Sequence, residues 1–116
     1  MSPVLCRPLE LGADIVIHSG TKFLCGHSDT MAGVVTVRDV KVDDDKNLPE
    51  EIYFLQNAEG NGLAPFDCWL ILRGLKTMAL RVKQQQANAM IIAKWLLTCS
   101  RITKVIYPGL EEQTGY

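Results

Sequence analysis

Ala13-Asp14-Ile15-Val16-Ile17-His18-Ser19-Gly20-Thr21-Lys22-Phe23-Leu24-Cys25-Gly26-His27-Ser28-Asp29 is the segment from which the rest of the chain is best approached. Residues 13–18 form a short β-branched run, the pattern of a buried strand. Residues 19–29 are rich in hydroxyls and glycine. A second β-branched run follows at Ala32-Gly33-Val34-Val35-Thr36-Val37. Two strands joined by a polar connection predict a sheet that carries a functional loop.

Beyond the second run the chain turns charged, with Asp43, Asp44 and Asp45 in a row. This reads as a solvated turn, because a Ca²⁺ loop needs alternating acids, a central Gly and a late Glu. Pro49, Glu50 and Glu51 mark a helix start. That helix should end in Glu59-Gly60-Asn61-Gly62. Pro65 and Asp67 open a second helix, and the helical pattern runs from Phe66 to Cys99, weakened near Gly74. Ala79, Val82, Gln86, Ala89, Ala93 and Leu96 step by three and four, one apolar stripe broken once. Arg81, Gln84, Gln85 and Asn88 take the polar side. Trp69, Trp95, Met78 and Met90 read as core, and Cys68 and Cys99 as small core residues. Ile102–Tyr107 reads as a third strand, broken by Pro108 and Gly109. Residues 111–116 carry no pattern. Strands near both ends with long helices between them indicate an α/β chain. Two or three strands cannot cover both helices, so the pattern suits a segment of something larger or an obligate oligomer.

Composition sets the outer bounds. A chain of 116 residues is one domain by length. Apolar residues are 47% and charged residues 22%, which excludes disordered, collagenous and coiled-coil classes. Net charge is −1, so nothing electrostatic argues for nucleic acid or an anionic membrane. No apolar run approaches the roughly 18 residues of a membrane span. Met1–Pro8 has neither the form of a secretory signal nor that of a clear transit peptide. Cys6, Cys25, Cys68 and Cys99 include no close pair, so they read as free thiols rather than a zinc or redox motif. His18 and His27 lack a metal-binding spacing, and no metal site is expected.

The chemistry centres on Lys22. In an extended stretch, Ser19 and Thr21 project to one side and Lys22 to the other. Hydroxyls bind phosphate, and a lysine in a partly desolvated site can form an imine with an aldehyde. Phosphate ligands beside such an amine are what pyridoxal phosphate asks of a protein. The spacing alone equally suits a surface lysine after a strand.

The segment 13–29 resembles the cofactor-lysine segment of the Cys/Met-metabolism family of pyridoxal-phosphate enzymes. Two further stretches carry the resemblance, Pro65-Phe66-Asp67-Cys68-Trp69-Leu70-Ile71-Leu72-Arg73-Gly74-Leu75-Lys76-Thr77-Met78-Ala79-Leu80-Arg81 and Val105-Ile106-Tyr107-Pro108-Gly109-Leu110. Within the family, Tyr53-Phe54-Leu55-Gln56-Asn57 and Asp67-Cys68-Trp69 most resemble the plant branch that cleaves cystathionine. The resemblance runs from Met1 to Leu110. It implies part of a fold type I, aspartate-aminotransferase-like large domain. Residues 1–100 would be the back part of the cofactor domain with the interdomain helix, and residues 101–116 the start of a C-terminal domain.

The resemblance also implies a pyridoxal 5′-phosphate cofactor, with Lys22 as its covalent and catalytic lysine and Ser19 and Thr21 on its phosphate. The implied reaction is α,β-elimination of cystathionine to homocysteine, pyruvate and ammonia, a step of methionine biosynthesis. Cystathionine γ-synthase or γ-lyase chemistry is the alternative, as is a non-catalytic truncated product. Gly26, His27 and Asp29 would shape the loop and cap a helix, with Gly26 supplying a positive φ or a close approach. Family subunits are longer and form dimers paired into tetramers. The carboxylate on the pyridine nitrogen, the ring-stacking aromatic and the arginine for the substrate carboxylate would lie outside these residues. Orientation of this kind is worth up to about 7–11 kcal/mol, so the isolated chain is expected to be inactive or nearly so. Met1 would then be an internal methionine. A plastid is the implied compartment in a plant, and the cytoplasm otherwise.

Overall fold

A computed structural model describes residues 2–41 and 47–111. The acidic run Asp43–Asp45 and residues 112–116 lie outside the described residues. The chain divides into two units, Met1–Ala79 and Leu80–Tyr116.

In the first unit both β-branched runs become strands, β1 (Ile15–Ser19) and β2 (Gly33–Val37). They pair antiparallel, with Ile15 opposite Val37 and Ser19 opposite Gly33. The Arg38 amide continues the ladder by donating to the Asp14 carbonyl at 2.8 Å. Alternation gives the ribbon two unlike faces. Val16, His18 and Val34 are half-buried. Ile17 and its cross-strand partner Val35 stay 73% and 51% exposed on the other face. Ahead of β1, residues 2–12 run as successive turns.

α1 (Leu48–Ala58) begins as the sequence predicts. The Asn47 side chain accepts from the Glu50 amide at 2.9 Å, and Pro49 with the two glutamates occupies the first turn. The helix ends at Glu59, before Gly60 at φ +73°. None of its residues is buried.

α2 (Pro65–Leu97) is one continuous helix of 33 residues. Gly74 does not interrupt it. This glycine is buried against the Cys25 backbone, and a Cβ there would overlap the Cys25 carbonyl. Close approach, rather than weak propensity, accounts for it. Leu70 and Ile71 are buried on the same stretch of helix.

The second unit holds the rest of α2 and the chain after it. Val82, Ala93 and Leu110 are buried, so the predicted stripe is core at Val82 and Ala93. Gln86 remains exposed. The predicted third strand does not form, since residues 102–107 are irregular chain with one bend. A strand needs a hydrogen-bonded neighbour, and no other strand lies in this unit among the described residues. The two tryptophans read as core are also corrected, Trp69 being 55% and Trp95 61% exposed. A helical stripe becomes core only where a second surface covers it. Cys68 and Cys99 are half-buried, and the wholly buried cysteine is Cys25.

Candidate active site

β1 ends at Ser19, and the chain coils at once into a π-type turn, Gly20–Leu24. Two neighbours tie the turn down. The Gly20 amide donates to the Ala32 carbonyl at 2.7 Å. The Ala32 amide in turn donates to the Thr21 hydroxyl at 3.0 Å. A Cβ on Gly20 would come within 2.8 Å of the Ala32 Cβ and 3.2 Å of Ile71 Cδ1, so glycine suits the packing. Lys22 sits inside the turn with a non-helical backbone, φ −88° and ψ −116°. Its carbonyl accepts from the Gly26 amide at 2.7 Å, and the Cys25 amide reaches back to the Gly20 carbonyl at 3.0 Å. Gly26 has φ +75°, as its expected loop role requires.

The turn changes which side chains meet. Strand alternation stops at Ser19, so the expected division of Ser19 and Thr21 from Lys22 does not hold. Ser19 and Lys22 line one cleft of about 410 Å³, together with Cys6, Pro8, Val16, Ile17, His18 and Phe23. Thr21 is not among the lining residues. Its oxygen serves the Ala32 amide, and its proton remains available to an acceptor.

Behind the turn lies a polar cluster. The Cys25 thiol donates to Asp29 Oδ1 at 2.9 Å. Arg73 Nη2 of α2 donates to Asp29 Oδ2 at 2.7 Å. The same guanidinium lies 5.6 Å from the Trp69 ring centre. The thiol's hydrogen bond and the Arg73 charge hold the Asp29 carboxyl below the usual carboxylate range. The bond to that carboxylate, and then burial, push the Cys25 thiol above its ordinary 9.0. Thr30, buried, donates to Asp67 Oδ1 in the first turn of α2 at 2.6 Å. His27 Nδ1 lies 2.7 Å from the Cys25 carbonyl, so this nitrogen carries the proton. His27 and Asp29 thus shape the loop, but Asp29 ties it to the side of α2 rather than capping a helix. Cys25, Thr30 and Arg73 are cluster members to which the sequence assigned no role, and Asp67 was read only as part of the helix start. The one legible signal was Gly74, a glycine inside a strong helical pattern.

The cleft can be tested against pyridoxal phosphate. It has the volume of a small-molecule site, and an amine-bearing residue, Lys22, and a hydroxyl-bearing one, Ser19, both line it. Its remaining lining is mainly apolar. Lys22 and Ser19 therefore fit the group. Among the described residues no cluster of ligating side chains fits a metal ion.

Comparison with known proteins bears on the same segment. The chain is 61% identical to the chloroplastic cystathionine beta-lyase of Arabidopsis thaliana over 116 residues, all of this chain and 24% of that protein. It is 54% identical to a cystathionine gamma-synthase/O-acetylhomoserine (thiol)-lyase of Bacillus subtilis over 108 residues, 93% of this chain and 27% of that protein. Among solved structures, a cystathionine gamma-lyase from Lactobacillus plantarum, complexed with L-serine, superposes with a TM-score of 0.83 at 42% identity. That match covers 93% of this chain and 27% of the other. The chain thus spans about a quarter of the length of the relatives it matches, and it carries part of their fold type I architecture. The family described as "Cys/Met metabolism PLP-dependent enzyme" matches residues 1–116, and the chain belongs to it.

Proposed function

We propose that these residues carry the cofactor lysine of a pyridoxal-phosphate-dependent carbon–sulfur lyase. Its reaction would split cystathionine, with one water, into homocysteine, pyruvate and ammonia. The observation that carries the reading is the shared cleft of Lys22 and Ser19 at the end of β1. Lys22 would hold the cofactor covalently through Nζ, and the Ser19 and Thr21 hydroxyls would bind its phosphate. Bound pyridoxal phosphate supplies the electron sink for elimination. Lys22 Nζ, once displaced by substrate, would take the proton at the substrate Cα and deliver one toward the departing sulfur.

Likeness to the plant beta-lyase favours β-elimination. Likeness to the bacterial gamma-synthase supports γ-chemistry as the second reading, because the same lysine and hydroxyls would serve both. Pyruvate as the product from cystathionine supports the first, and 2-oxobutyrate the second. We also propose that residues 1–100 belong to the cofactor domain and the interdomain helix, and 101–116 to the start of the next domain. Exposed apolar positions such as Ile17, Phe54 and Trp95 suit a homo-oligomeric whole protein, a dimer or tetramer. The chloroplastic relatives favour a plastid. The 116 residues alone are expected to show little or no turnover.

The test is reductive labelling. The purified chain is mixed with pyridoxal phosphate and its visible spectrum recorded. Borohydride then fixes the bound cofactor, and the labelled peptides are mapped. Label confined to Lys22, and abolished in Lys22→Ala, supports the reading. Label spread over surface lysines such as Lys83 and Lys94 overturns it and leaves a non-catalytic product.

A further inference from the structure

We propose that Asp29 and Arg73 are positioning residues for Lys22, locking the loop that follows it onto the first turns of α2. This rests on the assignment of Lys22 to the cofactor.

Three contacts fasten the loop to one helix. The Cys25 carbonyl packs on the bare backbone of Gly74. Asp29 pairs with Arg73, and Thr30 bonds to Asp67. Between these anchors Ser28 adopts φ +58°, a conformation that non-glycine residues hold only where their surroundings impose it. The lysine is coupled to this clasp through the backbone, by the Gly26 amide on the Lys22 carbonyl. Lys22 itself lies in a non-helical conformation inside the turn. A loose loop would let that backbone relax and swing Nζ away from the cleft.

An isolated exposed ion pair would contribute little. This one is part of a network. Asp29 has both oxygens engaged, one by a buried thiol and one by a guanidinium that also lies against Trp69. Lysine at position 73 would keep the charge but lose the planar fork and the ring contact.

The experiment compares the full chain with Asp29→Asn, Arg73→Met, Arg73→Lys and the control Lys76→Met, an exposed cation on the same helix. Circular dichroism first checks that each variant folds, and Asp29→Asn, nearly isosteric, serves if Arg73→Met does not. The first readout needs no cofactor: hydrogen exchange at the Gly26 amide. It should accelerate about tenfold or more in Asp29→Asn and Arg73→Met, less in Arg73→Lys, and not at all in Lys76→Met. The second is the Lys22-specific borohydride label at limiting pyridoxal phosphate, with the visible spectrum. It should fall about tenfold in the first two variants, with partial rescue by Arg73→Lys. Unchanged exchange in folded Asp29→Asn and Arg73→Met overturns the proposal. So does faster exchange with an unchanged Lys22 label, because the clasp would then be structural only. Absence of Lys22 label from the unmodified chain overturns the functional reading itself, and the exchange arm still decides the clasp.

Discussion

The two parts of α2 present opposite solutions to the same problem. Residues 65–79 meet a loop of their own chain, and few contacts suffice to organise it. A glycine admits a carbonyl, an arginine takes a carboxylate, and an aspartate takes a buried hydroxyl. Residues 80–97, in the second unit, carry a similar share of large apolar side chains, and Leu80, Ile91, Ile92 and Trp95 remain exposed there. Apolar content does not make a core by itself. A covering surface does: Leu70 and Ile71 have one in the first part and Val82 and Ala93 in the second, while Phe66, Trp69 and Leu72 stay as open as Leu80 and Trp95.

The sharpest way to break this contrast is Gly74→Ala. Alanine ordinarily strengthens a helix by about 1 kcal/mol. Here its methyl would overlap the Cys25 carbonyl, and we expect destabilisation of about 2–3 kcal/mol in urea unfolding. Gly62→Ala, with open space around it, should change stability by less than about 0.5 kcal/mol. Equal effects at both glycines would remove the close-approach argument.

Thr30→Val tests the second anchor. It keeps the shape, removes a 2.6 Å hydrogen bond and leaves Asp67 without that donor. About 1–2 kcal/mol should be lost in the same assay.

The Asp29–Cys25 pair sharpens the comparison through pH. Asp29 is held below its unfolded value, so its contribution is present above about pH 4 and is lost as pH falls through the folded value. Cys25 is held above 9.0, so its contribution is present below that pH and is lost as pH rises. Stability measured against pH should therefore fall on both flanks. Asp29→Asn should flatten the acid limb, and a limb identical to that of the unmodified chain would refute the coupling.

Asn47→Ala removes the α1 cap and should cost about 1 kcal/mol, read as a lower urea midpoint with reduced helix signal. Least of all, Arg7→Ala breaks an exposed ion pair with Glu10 and should shift stability by less than about 0.5 kcal/mol.

Much of this molecule is legible in one dimension. Both strands, the proline-glutamate start and glycine end of α1 and the long helix follow from local pattern and turn chemistry. The family is legible too, through segment 13–29 and the run from Pro65. The errors share a cause. Residues 102–107 have the composition of a strand, but pairing is not a local property. Trp69 and Trp95 have the character of core, but burial depends on what lies opposite. Ser19, Thr21 and Lys22 could be named from the motif. Their division between cleft and backbone could not, because strand alternation ends where the π-type turn begins.

By itself, then, the sequence determined the two strands, the two helices and the family, and it named Lys22 as the candidate lysine, all through short-range spacing and wording. Tertiary structure alone decided that Ser19 rather than Thr21 lines the cleft with Lys22, and that the loop behind them is tied to α2. Asp29 and Arg73 are 44 positions apart, and no local rule joins residues so distant. They meet because Gly74 lets two backbones come close enough for the ion pair beside them to form.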